Sequence, residues 1–295
     1  MVYFLASLTR SISKFLVTKD NTYYLGMIII RMGRWFRKVN FNSKNQPDFQ
    51  TVDMIYGNRI YIDRFSYMGG MIFWTGSHHH NEAIFLHYFL TSDMTFVDIG
   101  ANQGEMSLIA ASKIKSGHIF AFEPVSHQRK LLEINKKIND FKNIEIYSFG
   151  LGNCSSTQPI YTSDDTSVHS GMNEGLSSLY SSSDRNILQE VIQIKVFDDL
   201  FFNDLERLDF IKIDVEGAEL FALEGMVKSI QKFKPVILIE INEETFKAAN
   251  YTTKDIVDFF DNLNYGFFEI KKGKLVNTEV KSFEKWGNYI VKYKK

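Results

Sequence analysis

The chain has 295 residues, 44% hydrophobic and 23% charged, with a net charge of −1. That composition belongs to a globular protein with a sizeable core and excludes a disordered or fibrous chain. The near-zero charge leaves no overall footprint for nucleic acid, and the single cysteine, Cys154, excludes an intrachain disulfide and fits a reducing compartment.

The charge is unevenly spread. Residues 1–40 carry seven basic side chains (Arg10, Lys14, Lys19, Arg31, Arg34, Arg37, Lys38) against Asp20 alone, a balance of +6 that leaves −7 on the other 255 residues. The segment reads as one or two helices, with Phe4, Leu5, Leu8, Ile12, Phe15 and Leu16 at helical spacing. Met27–Lys38 is at once apolar, aromatic and basic. Two readings stay open for it: a helix lying on a membrane interface, or a lid helix on the main domain with its arginines in solvent. The first predicts peripheral contact with an anionic membrane surface through residues 1–40. Arg10 and Lys14 interrupt the signal-peptide-like stretch Met1–Val17, and the apolar run Tyr23–Ile30 is far short of the roughly 20 residues of a spanning helix. The expected location is the cytoplasm, with the inner membrane surface as the alternative.

Asn40–Gln50 is polar, contains Pro47 and reads as a linker, closing a first unit at 1–50. A second unit, 51–93, holds a hairpin over Thr51–Ile62 about Gly57-Asn58 and a short amphipathic helix over Phe85–Leu90. From 94 to 295 strands alternate with helices. Strands are predicted at Thr95–Ile99, His118–Glu123, Ile144–Phe149, Val191–Val196, Asp209–Asp214, Pro235–Ile241, Tyr265–Ile270 and Gly287–Tyr293. Helices are predicted over Glu105–Lys113, Gln128–Asn139 and Thr253–Leu263, and Lys271–Lys274 forms a basic turn. The alternation predicts an α/β fold, a Rossmann-like and mostly parallel sheet with an antiparallel edge strand, preceded by a helical and β-hairpin extension. Ligand is expected at the carboxyl ends of the strands.

The most informative stretch is Val97-Asp-Ile-Gly-Ala-Asn-Gln-Gly104. A strand ends in an acid, the chain turns at Gly100, and Gly104 opens a helix; glycine is needed where backbone takes positive φ or lies against a ligand. Glu123, nineteen residues on and at the end of the next strand, can accept both hydroxyls of a ribose. A dinucleotide fingerprint needs a third glycine, where this chain has Asn102. Asp98 would repel a pyrophosphate and suits a cationic amino-acid ligand such as a methionine sulfonium.

Four stretches resemble the FkbM family of methyltransferases: Val97–Gly104, Phe120–Val125, Asn173–Leu179 and Asp209–Leu220; Pro235–Glu240 matches the family's next strand. The resemblance runs from about Gly76 to Ile270. It implies a class I methyltransferase fold, S-adenosylmethionine as donor, and O-methylation of a hydroxyl on a sugar, glycan or other small natural product. Carried onto this chain, Asp98, Gly100, Asn102 and Gly104 surround the methionine moiety, Glu123 holds the ribose, and Gly150 and Leu151 border the adenine.

Methyl transfer requires alignment of the acceptor oxygen, exclusion of water and removal of the hydroxyl proton. The strand Asp209–Asp214 delivers Asp214 to the sheet's carboxyl edge, Glu216 follows, and Glu240 ends the neighbouring strand. Three converging carboxylates could raise one another's pKa to make a general base, or could hold a divalent cation such as magnesium, with Asp214 and Glu240 as ligands. They could equally be capping acids at the start of the helix after Gly217. Lys212 alternates with Ile211 and Ile213 and is expected to form a structural ion pair. In the run His78-His79-His80, His78 and His80 would share a face on extended chain, making His80 a candidate base or ligand; surface contact is the alternative. No zinc-type spacing is present. Asn173–Ser178, within the serine-rich stretch Ser163–Ser183, is a candidate active-site lid. The leading reading is an O-methyltransferase acting on a small-molecule, glycan or glycolipid acceptor. A nicotinamide-dependent oxidoreductase and a non-catalytic, membrane-peripheral binding module on the same fold are the alternatives.

Overall fold

The computed structural model describes residues 2–17, 23–40, 47–162, 177–180, 187–272, 274–278 and 286–294. Most of the linker and of the serine-rich stretch, including 173–176 of the candidate lid, lies outside the described residues, as does Gly273 of the basic turn.

Helices α1 (Val2–Val17) and α2 (Tyr23–Asn40) pack on each other and on α3 (Tyr67–Thr75). Between α2 and α3, β1 (Phe49–Asp53) and β2 (Arg59–Asp63) pair as the antiparallel hairpin. Gly57 takes φ +85° in its loop, whereas Asn58 gives its side chain to the Leu108 carbonyl. α3 is apolar on every side and seven of its nine residues are buried, so it offers no periodic stripe to read.

The α1 stripe is split between the two sides of the helix, with Leu5 packed against the core. Leu16 is buried, but Phe4, Leu8 and Phe15 are exposed, and the face turned to α3 consists of Ala6, Thr9 and Ser13. The reason is the carboxyl end of α3, whose last four carbonyls lack helical partners. Ile72 O accepts from the Gly76 amide, Phe73 O from the Arg10 guanidinium, Trp74 O from the Thr9 hydroxyl at 2.7 Å and Thr75 O from the Ser13 hydroxyl at 3.3 Å.

After α4 (His80–Phe89) the alternation begins: β3 (Phe96–Ile99), α5 (Glu105–Lys113), β4 (Ile119–Phe122), α6 (Ser126–Ile138) and β5 (Ile144–Tyr147). β6 (Gly150–Leu151), β7 (Ser156–Thr162) and β8 (Ile187–Lys195) form a separate three-stranded sheet, which the sequence pattern did not foretell. α7 (Phe197–Phe201), β9 (Phe210–Ile213), α8 (Glu219–Glu224), α9 (Val227–Phe233), β10 (Val236–Asn242), α10 (Glu243–Ala248), α11 (Thr253–Asn262), β11 (Tyr265–Lys271), β12 (Lys274–Asn277) and β13 (Trp286–Tyr293) complete the chain.

The main sheet has the order β12-β11-β13-β10-β9-β3-β4-β5. β5, β4, β3, β9 and β10 are parallel, as expected, and the edge strand β12 is antiparallel. β13 also runs antiparallel, inside the sheet between β10 and β11. This is the mostly parallel α/β sheet with an antiparallel edge expected from the sequence. β3 and β9 are buried on both faces, which explains their apolar character, interrupted only by Asp98 and Lys212, which face each other as an ion pair. One face packs Phe96, Phe210, Leu238 and Ile290 against α3 and α5; the other packs Val97, Ile211 and Ile213 against α8, α9 and α11.

Candidate functional site

Strand order reverses at β3, which has β4 on one side and β9 on the other, and such switch points leave a crevice at the carboxyl ends. A crevice of about 990 Å³, partly open to solvent, lies there, lined by Gly100, Asn102, Glu105, Glu123, Gly150, Leu151, Lys212, Asp214 and Glu216 among others.

The floor is the turn after β3. Gly100 has φ +75°, and a Cβ there would lie 2.0 Å from the Asp214 carbonyl oxygen, so no other residue fits. Gly104, at φ +96°, caps α5, and a Cβ would meet Leu132 at 2.3 Å. Asn102 takes the left-handed φ of +52°. Glu123 accepts the Asn102 amide at 2.7 Å on one oxygen and the Val125 amide at 2.8 Å on the other. Burial pushes its carboxyl up to about 7 despite those two bonds. Beside it Val125, Ile160, Ile192 and Ile194 form an apolar cluster built from the small sheet, and the last three, with Leu151, wall the crevice.

Asp98 is placed differently from the expectation. It is fully buried below the turn and does not line the crevice. It accepts the Ser107 hydroxyl at 2.6 Å and lies 3.5 Å from Lys212 Nζ. Lys212 Nζ donates to the Gly100 carbonyl at 2.6 Å and lies 3.6 Å from Asp214. Burial alone would lower this lysine, but Asp214 and Asp98 hold it above its ordinary value. Asp98 therefore acts on the turn through Lys212, in the ion pair expected for that lysine. Gly104 likewise sits behind the turn, against α6.

At the opposite wall one carboxylate oxygen from each of Asp214, Glu216 and Glu240 lies within 4.8 Å of the others. Glu240 does not line the crevice itself. One of its oxygens accepts the Trp286 indole N–H at 2.6 Å, and the other has no hydrogen-bond partner among the described residues. Burial, then Asp214 and Glu216, raise it well above the usual carboxylate range. The capping reading does not hold: Ala218 precedes α8 with no side-chain cap, and Glu219, the first residue of the helix, accepts the Val215 and Gly217 amides of the loop before it at 3.1 and 2.9 Å and the Tyr251 hydroxyl at 3.0 Å. Glu216 (φ +53°) lines the crevice.

His80 must be withdrawn as a candidate base. It starts α4 instead of continuing an extended chain, does not line the crevice, and its Nε2 donates to the Thr75 carbonyl at 3.1 Å. Burial lowers its pKa to about 4. His79 is the histidine on the crevice. It was missed because alternation on an extended chain was assumed. Glu105 was missed too: it is buried on the crevice, one oxygen accepting the Ser77 hydroxyl at 2.5 Å and the His78 amide at 2.8 Å, the other without a hydrogen-bond partner among the described residues. In the sequence it stood only as the first residue of the predicted helix Glu105–Lys113. At the mouth, Ser177 and Leu179 line the crevice, and the Ser178 hydroxyl donates to the Glu216 carbonyl at 2.7 Å.

Similar proteins are found in several organisms. Methyltransferase sdnD of Sordaria araneosa is 29% identical over 46% of this chain and 62% of its own length. Methyltransferase 1 of Beauveria bassiana is 25% identical over 45% of this chain and 59% of its own. The chain thus spans about three-fifths of these relatives. Among solved structures, methyltransferase FkbM from Methylobacillus flagellatus KT aligns with a TM-score of 0.45 and 17% identity, over 71% of this chain and 48% of that one. The methyltransferase FkbM domain model matches residues 98–267, more than half of the 295. The segment carrying the glycine turn, Glu123 and the acid triad is therefore that of a known family, and the chain belongs to the FkbM methyltransferases.

Proposed function

We propose that the crevice binds S-adenosylmethionine and that the chain methylates a hydroxyl of a sugar, glycan or glycolipid. The observation that carries this reading is the Cβ-free turn at Gly100 facing Glu123, whose oxygens are both held in place by backbone amides. Gly100 and Asn102 would border the amino-acid portion, with Asp98 and Lys212 fixing the turn from below. Glu123 would accept the ribose hydroxyls, and Gly150 and Leu151, with Ile160, Ile192 and Ile194, would flank the adenine. The bound donor supplies an electrophilic methyl group.

The chain's own contribution is to hold the acceptor and manage its proton. Asp214 stands on the crevice wall beside Lys212, and its carboxylate would take the proton of the acceptor hydroxyl. Glu216 would orient that hydroxyl. Glu240, whose proton burial and the neighbouring acids retain, would donate a hydrogen bond to one of the other two acids. The oxygen-only triad also supports a second reading, a magnesium-like ion on Asp214, Glu216 and Glu240, which would have to displace the Glu240 proton.

Titration calorimetry with S-adenosylhomocysteine and with NAD tests the binding site: heat for the first only is expected, and heat for NAD alone would overturn the reading. Labelled-donor turnover on candidate sugars and lipids, with and without chelator, tests acceptor class and metal. Chelator-insensitive turnover leaves Asp214 as base.

A further inference from the structure

The outward face of α1 and α2 is apolar where a helix in water is polar. Among the described residues, ten of the nineteen exposed large hydrophobic side chains lie on these two helices, which supply only 34 residues. Phe4 and Leu8 stand one turn apart on α1, and Ile28, Met32, Trp35 and Val39 follow one stripe along α2. The inward face is mixed: Ala6, Thr9, Ser13 and Gly33 lie against α3, where a Cβ on Gly33 would meet Thr75 at 2.8 Å, while Ile30 packs on Ile84 and Phe36 stacks on Trp74. Neither helix contains an acid, and the exposed Arg31 and Arg34 run beside the α2 stripe.

We propose that this face docks on an anionic lipid bilayer, with α1 and α2 lying in the headgroup region and their arginines on lipid phosphates. Charge selects the occupant. A second copy of the chain would set Arg31 and Arg34 against their own counterparts with no acid on either helix to pair them, whereas an anionic surface supplies the missing charge. The −7 carried by the remaining residues would turn the rest of the molecule away from that surface. No described helix is long and apolar enough to cross the membrane, so the contact is interfacial. It also reaches the crevice: Arg37 of α2 lies 4.7 Å over the Tyr67 ring, and the neighbouring Met68 lines the cavity. The docking stands whether or not the crevice performs methyl transfer.

The test is cosedimentation of the full chain with phosphatidylcholine vesicles, with and without phosphatidylglycerol. Binding is expected only with the anionic lipid. Arg31→Gln/Arg34→Gln should weaken it at least fivefold per arginine, to order of magnitude, and Ile28→Ser/Trp35→Ser by roughly tenfold or more. Brominated acyl chains should quench the wild-type indole fluorescence, and Trp35→Phe should abolish that quenching while keeping Trp74 and Trp286. Wild type that ignores anionic vesicles, or both double variants binding like wild type, would overturn the proposal. A dimer that falls to monomer in Ile28→Ser/Trp35→Ser, with no vesicle binding by wild type, would assign the face to a second copy and overturn it too.

Discussion

The sheet core and the N-terminal helical pair use the same amino-acid types in opposite directions. In the core, Phe96 and Phe210 stack at 5.5 Å and are fully buried, as are Ile211, Ile213 and Ile237. On α1 and α2 Phe4, Ile28, Met32 and Trp35 face outward, while Ala6 and Gly33 face inward beside Ile30 and Leu16. Burial, not composition, separates them: the core finds its apolar partners within the chain, while the pair buries only part of its large side chains and turns Thr9, Arg10 and Ser13 to the end of α3. A helix that looks amphipathic therefore need not bury its apolar side in its own fold.

The comparison can be broken at several strengths. Phe210→Ala should destabilise by about 3–5 kcal/mol, since it opens a cavity between Phe85, Phe89 and Phe96; a melting shift no larger than that of Trp35→Ala would end the distinction. Asp214→Asn should lower turnover by roughly a hundredfold while S-adenosylhomocysteine affinity stays near wild type; unchanged turnover would remove Asp214 from the mechanism.

A smaller effect sharpens the site itself. Ribose hydroxyls donate to the ionised Glu123, so ligand affinity should rise as pH passes upward through about 7, by up to roughly tenfold per unit on the acidic side. Glu123→Gln should flatten that profile in calorimetry. For folding the sign is opposite: with its folded pKa raised, Glu123 stabilises fully below its unfolded value of 4.5, and that contribution is lost as pH rises through about 7. The smallest change is expected for Trp35→Ala, within about 0.5 kcal/mol in water. A large loss there would mean the outer face supports the fold directly.

Much of the site was legible because its constraints are local. The turn at Gly100, the strands β3, β4 and β9 and the helix α5 follow from residues adjacent in sequence, where alternation, glycine and short apolar runs dictate backbone. What failed was orientation. His80 was put on extended chain, yet it begins a helix and closes the end of α3. Asp98 was aimed at ligand, yet Ser107 and Lys212 hold it beneath the turn.

By itself the sequence determined the parallel α/β order, the glycine-relieved turn and the identity of the acids at the strand ends, because each depends on residues a few positions apart. Only the tertiary structure decided that β13 inserts between β10 and β11, that Glu219 holds the Val215 and Gly217 amides while Glu216 lines the crevice, and that α1 and α2 leave ten large side chains exposed. Those outcomes depend on which buried carbonyls and amides need partners, and such partners come from parts of the chain that local pattern does not connect.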